Sequence, residues 1–286
     1  MPNGYVCLTF DFDALSVWVD RGQLSATPRS RGEFGAVAVP RLLELLARRE
    51  LVATWFVPGH TARTYPELCR RIGDQGHEIA LHGDAHENVA ALPEDAERAV
   101  LDRSLAAVQD VAEGGIRGFR APAWDLSENT VALLNERGLR YDSSMMGHDY
   151  APYHCRVGDR VDAEGVVWGD PTPLVEVPVS WTLDDLPHLE FLTSPARTLP
   201  GLGDAERMFG DWEADLTYML RETEQGVLTV TFHPQVIGRG HRLLRMEEWL
   251  DRIAGTGVAF STVGEVAERF AAGEELGRPK PAPPGR

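Results

Sequence analysis

Cysteines, basic residues and long apolar runs are all scarce in this 286-residue sequence. The three cysteines are far apart and odd in number, which argues against a disulfide framework. Lys and Arg total 28 against 44 Asp and Glu, a net charge of −16 that disfavours nucleic acid and anionic membranes as partners. No apolar run reaches transmembrane length, and the first residues lack the pattern of a secretory signal. We therefore expect a cytoplasmic protein that binds no membrane.

Apolar strand-like segments alternate with helical segments along most of the chain, which indicates an α/β protein with a parallel sheet, open or closed. Polar side chains follow several predicted strands, and in a (β/α) barrel such strand ends converge on the rim that carries the active site. They are Asp11, Asp13, His82, Arg120, Asp142 and His233. We therefore predict an irregular (β/α) barrel of about seven to eight strands, with residues 1–277 as a single domain and 278–286 as a disordered Pro-rich tail.

Three long segments lack a clear hydrophobic period, and we predict loops or irregular structure at 13–34, 145–172 and 183–203. Loops of this length are usually functional. The remaining segments follow helical or strand periodicity. Predicted helices cover 37–49, 65–75, 93–112, 127–137, 204–224, 241–254 and 263–272, and predicted strands cover 5–10, 52–57, 78–81, 118–122, 139–142, 174–179, 227–232 and 258–260.

The segment Leu8–Ala14 reads as an apolar strand that ends in two carboxylates. Side chains alternate faces along a strand, so Asp11 and Asp13 share one face. Two acids buried side by side cost free energy unless a metal, an arginine or a shared proton lies between them. This segment is therefore the first candidate for a functional site.

His82 and His86 follow a second short apolar strand and are four residues apart. In a helical turn they would face the same way, about 5–6 Å apart. By itself the pattern also describes two surface histidines. With one of the two aspartates, they form a three-ligand set of the kind that holds catalytic zinc. We predict a divalent metal, with zinc as first choice and cobalt, manganese or nickel as alternatives, and the second aspartate free to act as a base.

Five segments between residues 9 and 234 together resemble the motifs of the polysaccharide deacetylase superfamily, also called NodB-like or carbohydrate esterase family 4. They are Thr9-Phe10-Asp11-Phe12-Asp13, His82-Gly83-Asp84-Ala85-His86, Arg120-Ala121-Pro122-Ala123-Trp124, Asp142-Ser143-Ser144 and Thr231-Phe232-His233-Pro234. The usual first motif has adjacent aspartates followed by glycine, whereas a phenylalanine separates them here. That form resembles an intracellular subgroup of peptidoglycan deacetylase-like proteins, cyclic imidases and allantoinase-like enzymes.

The resemblance implies a role for each residue of the predicted metal site. Asp13, His82 and His86 would bind the metal, and Asp11 would be the general base that takes a proton from water. His233 would protonate the leaving nitrogen, since a histidine titrates in the range that an acid step needs.

The resemblance also implies residues that support the site. Arg120 would pair with and orient the base, although a structural salt bridge is the alternative. Asp142 would orient His233 or another neighbouring group rather than react itself.

Four further residues are candidates for substrate binding. Trp124 and Trp181 would wall the pocket or pack in the core, and His60 would line the pocket or be structural. The backbone near Ala14 would stabilise the oxyanion. Asp184 and Asp185 would form a solvated turn or reach the substrate of a neighbouring subunit.

Together, these features predict a metal-dependent hydrolase of amide or imide C–N bonds. The alternatives are an N-deacetylase of peptidoglycan- or chitin-type oligosaccharides, a barrel that binds a sugar or ureide without turnover, and an isomerase or lyase. The lack of an export signal and the long segments at 14–34 and 183–203, which can cover the strand ends, favour a small soluble amide, cyclic imide or ureide. We expect a homo-oligomer, either a dimer or a tetramer.

Overall fold

The structure, a computed structural model, describes residues 2–193, 198–199 and 202–281. Strands rich in apolar residues run through the centre and helices cover them. The strands are β1 Gly4–Asp11, β2 Thr54–Val57, β3 Glu78–Leu81, β4 Gly118–Phe119, β5 Tyr141–Asp142, β6 Tyr153–Val157, β7 Arg160–Asp162, β8 Gly165–Val167, β9 Asp170–Glu176, β10 Leu192–Thr193, β11 Thr198–Leu199, β12 Thr223–Glu224, β13 Gly226–Phe232, β14 Ala259–Phe260 and β15 Arg278–Pro279.

Eleven α-helices lie within the described part of the chain. They are α1 Ser16–Asp20, α2 Ala26–Arg48, α3 Gly59–Thr64, α4 Pro66–Asp74, α5 Glu94–Gln109, α6 Thr130–Glu136, α7 Asp185–Leu189, α8 Ala205–Glu222, α9 Pro234–Ile237, α10 Gly240–Ala254 and α11 Val263–Ala271. Among the described residues, no helix combines the length and the apolar character needed to cross a bilayer.

The main sheet follows the order β13-β1-β2-β3-β4-β5-β9-β6, and β14 also pairs with β1. All neighbours are parallel except β6 and β9, which are antiparallel. The sheet curls into a half-barrel. It stays open because β13 and β6, the two ends of this path, do not pair with each other. The predicted α/β fold, an irregular NodB-like (β/α) barrel, is confirmed.

Alternation along β1 sets the position of the site. Val6, Leu8 and Phe10 belong to the large core that also contains the apolar face of α2. Tyr5 and Cys7 belong to the second cluster on the other face of the strand. Every second residue of a strand points to the same face, so Asp11 and Asp13 lie on the same face as Tyr5 and Cys7. The same period that builds the core therefore directs both carboxylates to the interior of the curled sheet.

The loop predicted at 13–34 is wrong, because α1 and most of the first half of α2 lie there. The glycines in this segment serve close packing instead of a loop. A Cβ atom on Gly32 would lie 2.6 Å from the carbonyl oxygen of Ala14, so only glycine lets α2 approach the turn after β1 this closely. The segment still covers the strand ends, but as two helices.

The irregular segment predicted at 145–172 is also wrong, since it contains β6, the β7–β8 hairpin and the start of β9. The hairpin residues are exposed on both faces, so no alternation marks them in the sequence. The loop predicted at 183–203 contains α7, β10 and β11, and residues 194–197 and 200–201 of this segment lie outside the described residues.

At the C-terminus, β15 pairs antiparallel with β12. Residues 278–279 are therefore ordered within the segment predicted to be a disordered tail. The rest of that prediction, for 282–286, lies outside the described residues.

Candidate active site

Two buried aspartates form the centre of the site at the end of β1. Asp11 and Asp13 are each 1% exposed. Nη1 of Arg120 donates a hydrogen bond to Oδ1 of Asp11 at 2.8 Å. Oδ1 of Asp13, in contrast, is buried without a hydrogen-bond partner among the described residues. One carboxylate is therefore held by an arginine, and the other is left with an unsatisfied oxygen.

Arg120 is fully buried and fixed at every nitrogen. Its Nε donates to the carbonyl oxygen of Ser143 at 2.8 Å, and its Nη2 donates to the hydroxyl of the same serine at 3.0 Å. Its guanidinium also lies 4.0 Å from the ring centroid of Phe56. Such a multiply bonded guanidinium cannot swing away, so it holds the Asp11 carboxylate in one orientation.

The two histidines of the motif turn towards Asp13. Nδ1 of His82 lies 2.8 Å from the carbonyl oxygen of Arg120, which assigns the proton to Nδ1 and directs Nε2 to Oδ1 of Asp13 at 3.4 Å. Nε2 of His86 lies 3.8 Å from the same oxygen. The pair does not lie in a helical turn. The chain is a loop in which Gly83 and His86 have φ angles of 66° and 67°, and it brings the two ring centroids 5.3 Å apart.

These three residues fit a divalent metal ion. Their ligand atoms all lie within 4.8 Å of one another, and the unsatisfied Oδ1 of Asp13 points between the two imidazoles. The hydrogen bond from Nδ1 of His82 to a carbonyl oxygen is the kind of contact that fixes the tautomer of a metal ligand. Burial raises the pKa of Asp13, but the three nearby histidines outweigh burial and lower it. Burial lowers the pKa of His86 to about 4, which leaves the imidazole neutral.

His233 faces the cluster from the end of β13. Its Nδ1 lies 2.8 Å from Oδ1 of Asp185 and 3.4 Å from Oδ1 of Asp184. Its Nε2 lies 3.7 Å from Oδ2 of Asp13. Burial lowers the pKa of His233, but the two aspartates outweigh it and raise the pKa well above its ordinary value.

Asp184 and Asp185 are therefore neither a solvated turn nor residues that depend on a neighbouring subunit to reach a site. They are 2% and 0% exposed and contact His233 of the same chain. Asp184 forms an isolated parallel bridge with Thr231, which brings this segment along the free edge of β13. The sequence around Asp184 and Asp185 does not indicate their contact with His233. This contact depends on how the chain crosses the open edge of the sheet.

Asp142 does not orient His233, which corrects that part of the sequence interpretation. It accepts a hydrogen bond from the Ser144 hydroxyl at 2.7 Å, and its other oxygen, which has no donor among the described residues, belongs to a carboxyl group that interacts with that of Glu176. Oε1 of Glu176 accepts hydrogen bonds from the backbone N–H groups of Ser144 and Met145, each at 3.0 Å. Burial raises the pKa values of both acids, which favours a proton between the two carboxyl groups. Sequence reasoning missed Glu176, which looks like an ordinary strand residue.

A cavity of about 480 Å³ opens above these groups. Trp124 and Trp181 stack on one side of it, with ring centroids 4.4 Å apart. Helices α1 and α7 contribute side chains to the wall. The lining residues are Asp11, Asp13, Val17, Arg21, His82, His86, Ala123, Trp124, Trp181, Asp184, Leu186, Pro187, Glu190 and His233.

Two predicted substrate-binding residues are not part of this lining. Ala14 is fully buried in a left-handed turn, with φ of 48°, directly beneath α2. His60 is on α3, where its backbone N–H donates to the carbonyl oxygen of Asp84 at 2.7 Å.

The comparison with known proteins agrees with this arrangement. The family model for polysaccharide deacetylase matches residues 2–141. A peptidoglycan deacetylase of Helicobacter pylori is 36% identical over 275 residues, which cover 91% of this chain and 94% of the relative. A peptidoglycan deacetylase-like protein of Gibberella zeae is 30% identical, with coverage of 95% and 87%.

Solved structures agree as well. A Mycobacterium smegmatis protein described as a polysaccharide deacetylase is 33% identical, with a TM-score of 0.83 and coverage of 100% of this chain and 96% of that one. Puue allantoinase has a TM-score of 0.78 over 96% of this chain and 92% of its own, but at 18% identity it shows only the shared fold. This chain belongs to the polysaccharide deacetylase family.

Proposed function

We propose that this protein is a metal-dependent hydrolase of C–N bonds that acts on an amide, cyclic imide or ureide of a small soluble molecule. One observation carries the proposal: Asp11 and His233 both line a single covered cavity that also contains the three candidate metal ligands. An acid, a base and a cation site around one small cavity are the parts that hydrolysis of an unactivated carbonyl requires.

Asp13, His82 and His86 would hold the metal, and their two nitrogens and one carboxylate oxygen favour zinc, with cobalt, manganese or nickel as alternatives. When bound, such an ion polarises the substrate carbonyl and lowers the pKa of water. Polysaccharide deacetylases generally depend on a metal, which supports this assignment.

Asp11 would act as the general base. Its Oδ1 is held by Arg120 at 2.8 Å, while its Oδ2 lies 3.8 Å from Nε2 of His82, on the side of the cavity. A carboxylate fixed at one oxygen keeps the other oriented to accept a proton from the attacking water. Arg120 is therefore a positioning residue.

His233 would act as the general acid. Asp185 accepts a hydrogen bond from its Nδ1, so the proton that can be transferred is at Nε2, which faces the cavity. When the tetrahedral intermediate collapses, this proton would pass to the leaving nitrogen.

The size of the cavity supports a small substrate. Its volume of about 480 Å³ is within the range typical of small-molecule sites. Trp124 and Trp181 would provide an apolar wall for a ring or an acyl group. The cytoplasmic location and the dimer or tetramer expected from the sequence belong to this proposal and stay predictions.

Deacetylation of a peptidoglycan- or chitin-type oligosaccharide is the second candidate. It is supported by the relative of 36% identity named a peptidoglycan deacetylase. A sugar chain would have to enter past the stacked tryptophans, and Trp181 is 44% exposed at the opening.

A substrate panel separates the two. Purified metal-loaded protein is offered hydantoin, succinimide, allantoin and acetamido sugars together with chitin and peptidoglycan oligosaccharides, and Asp11→Asn controls for a contaminating hydrolase. We expect wild type to hydrolyse at least one small amide, imide or ureide. Efficient deacetylation of the oligosaccharides with no turnover of any small compound would replace this proposal with the second one.

A further inference from the structure

We propose that the substrate carries a carboxylate group and that Arg21 binds it at the mouth of the active-site cavity. This inference rests on the proposed function and adds the substrate class. It concerns a residue outside all of the motifs described above.

Arg21 follows directly after α1 and lines the same cavity as the catalytic groups. Among the described residues, no acceptor lies within hydrogen-bonding or ion-pairing distance of its guanidinium. The central carbon of this guanidinium lies 5.7 Å from the ring centroid of Trp18. Arg21 is an exposed residue at the edge of the cavity; partial burial of its guanidinium lowers its pKa, although the charges of Asp13 and Asp20 raise it. A guanidinium with open donors in a partly closed cavity is suited to binding an anion.

Arg31, which is close by, shows the contrast. Its Nη2 lies 3.0 Å from Oε1 of Glu190 and donates to the carbonyl oxygen of Phe191 at 3.3 Å. Its guanidinium also lies 4.6 Å from the centroid of the Trp18 ring. The hydrogen-bond donors of Arg31 are thus used by contacts within the protein, whereas those of Arg21 can bind a ligand.

The local charge favours an anion despite the net charge of −16. A small cleft next to the cavity is lined by Arg21, Arg31, Arg239 and one acid, Glu190, and Asp20 is a second acid whose charge acts on Arg21. Glu190 is paired with Arg31, so it repels an incoming carboxylate only weakly. Three arginines therefore stand against two acids at the mouth of the cavity, while its inner end carries the acidic groups that act on the carbonyl.

This polarity fixes how the substrate lies. The neutral amide, imide or ureide would face Asp11 and His233, and the carboxylate would accept two parallel hydrogen bonds from Arg21. The predicted substrate is thus a small molecule with a hydrolysable C–N bond at one end and a carboxylate at the other.

Matched pairs of compounds test the inference. Hydantoin-5-acetate is compared with 5-isobutylhydantoin, which has the same shape without the charge, and N-acetylmuramic acid is compared with N-acetylglucosamine. Because hydrogen bonds between charged groups are strong, Arg21→Gln should raise KM for the acidic member by about 10–100-fold and leave its neutral partner nearly unchanged. Arg21→Lys should recover part of the loss. Arg29→Gln is the matched control, since this exposed arginine pairs with Glu33 at 3.3 Å and is not in the lining.

Calorimetric binding to the metal-loaded protein separates this inference from the reaction itself. If neither pair is hydrolysed but wild type binds an acidic compound more tightly than its neutral partner, and Arg21→Gln abolishes the difference, the proposed reaction fails and the anion site stands. If wild type shows no preference for either acidic compound, or if Arg21→Gln weakens acidic and neutral compounds equally, the inference is overturned.

Discussion

Two pairs of buried carboxyl groups lie at the same end of the central sheet, and their surroundings give them opposite chemistry. Asp11 and Asp13 face an arginine and three histidines, and the pKa of Asp13 is lowered. Asp142 and Glu176 face hydroxyl and backbone N–H groups, and burial raises both of their pKa values. The first pair is therefore suited to a cation and the second to a shared proton. An aspartate at a strand end identifies neither role until its neighbours are known.

The largest effect should come from removing an imidazole from the first pair. In His82→Ala, the cluster loses one of its three candidate ligands, so we expect loss of both bound metal and activity. Metal content is measured by atomic emission, and a chelator should inactivate wild type reversibly. His154→Ala, remote from the cavity lining, is the control. Normal metal content in His82→Ala would contradict the ligand assignment.

Asp11→Asn should separate chemistry from metal binding. Asparagine keeps the shape and can still accept from Arg120, but it cannot take a proton from water. We expect kcat to fall by about 10²–10⁴-fold while the metal stays bound. His233→Ala should also retain the metal and should impair substrates with poor leaving groups most. A kcat close to that of wild type in Asp11→Asn would exclude Asp11 as the base.

Asp185→Asn tests the residue that took the role expected of Asp142. Weakening the hydrogen bond to Nδ1 should misorient His233 and lower kcat by about 10–100-fold without loss of metal. Asp142→Asn is the control, because Asp142 contacts Ser144 and Glu176 instead of His233. If the two variants lowered kcat equally, the assignment of Asp185 as the positioning residue would be wrong.

The sequence predicted those parts of the molecule that depend on local period and on short motifs. Alternation along β1 was enough to put Asp11 and Asp13 on one face, and the alternation of strands and helices was enough to predict the fold. Arg120 pairs with Asp11, as the resemblance implied.

What the sequence could not give depends on contacts between distant segments. The helix α2 contains glycines that look like loop residues until their packing against Ala14 is seen. Asp185 and Glu176 reach their partners over 48 and 32 residues of chain, and no spacing rule covers such distances. The loop between His82 and His86, in which both Gly83 and His86 have positive φ angles, follows no helical or strand period.

The smallest expected effect concerns the second pair. The pKa values of Asp142 and Glu176 are raised in the folded state. At pH values above the pKa of an ordinary carboxyl group, the folded protein therefore binds more protons than the unfolded chain. The free energy of unfolding should therefore fall as pH rises through that range. In Glu176→Gln, the amide oxygen can accept from the backbone N–H groups of Ser144 and Met145, while the amide nitrogen donates to Asp142. No shared proton is then needed.

Urea unfolding at pH 5 and pH 8 should show a smaller decrease in the free energy of unfolding for Glu176→Gln than for wild type. The difference should be on the order of 1 kcal/mol, the size that proton linkage at one perturbed carboxyl group gives. Asp142→Asn should flatten the pH dependence in the same way, because its amide can donate to the carboxylate of Glu176. The double variant places two amide N–H groups against each other, so its loss of stability relative to wild type should exceed the sum of the losses in the two single variants. Additive behaviour would mean that the two acids do not share a proton. Asp11→Asn makes the same isosteric change in the other pair and is the control. It should lose activity but keep the pH dependence of unfolding that Asp142 and Glu176 cause.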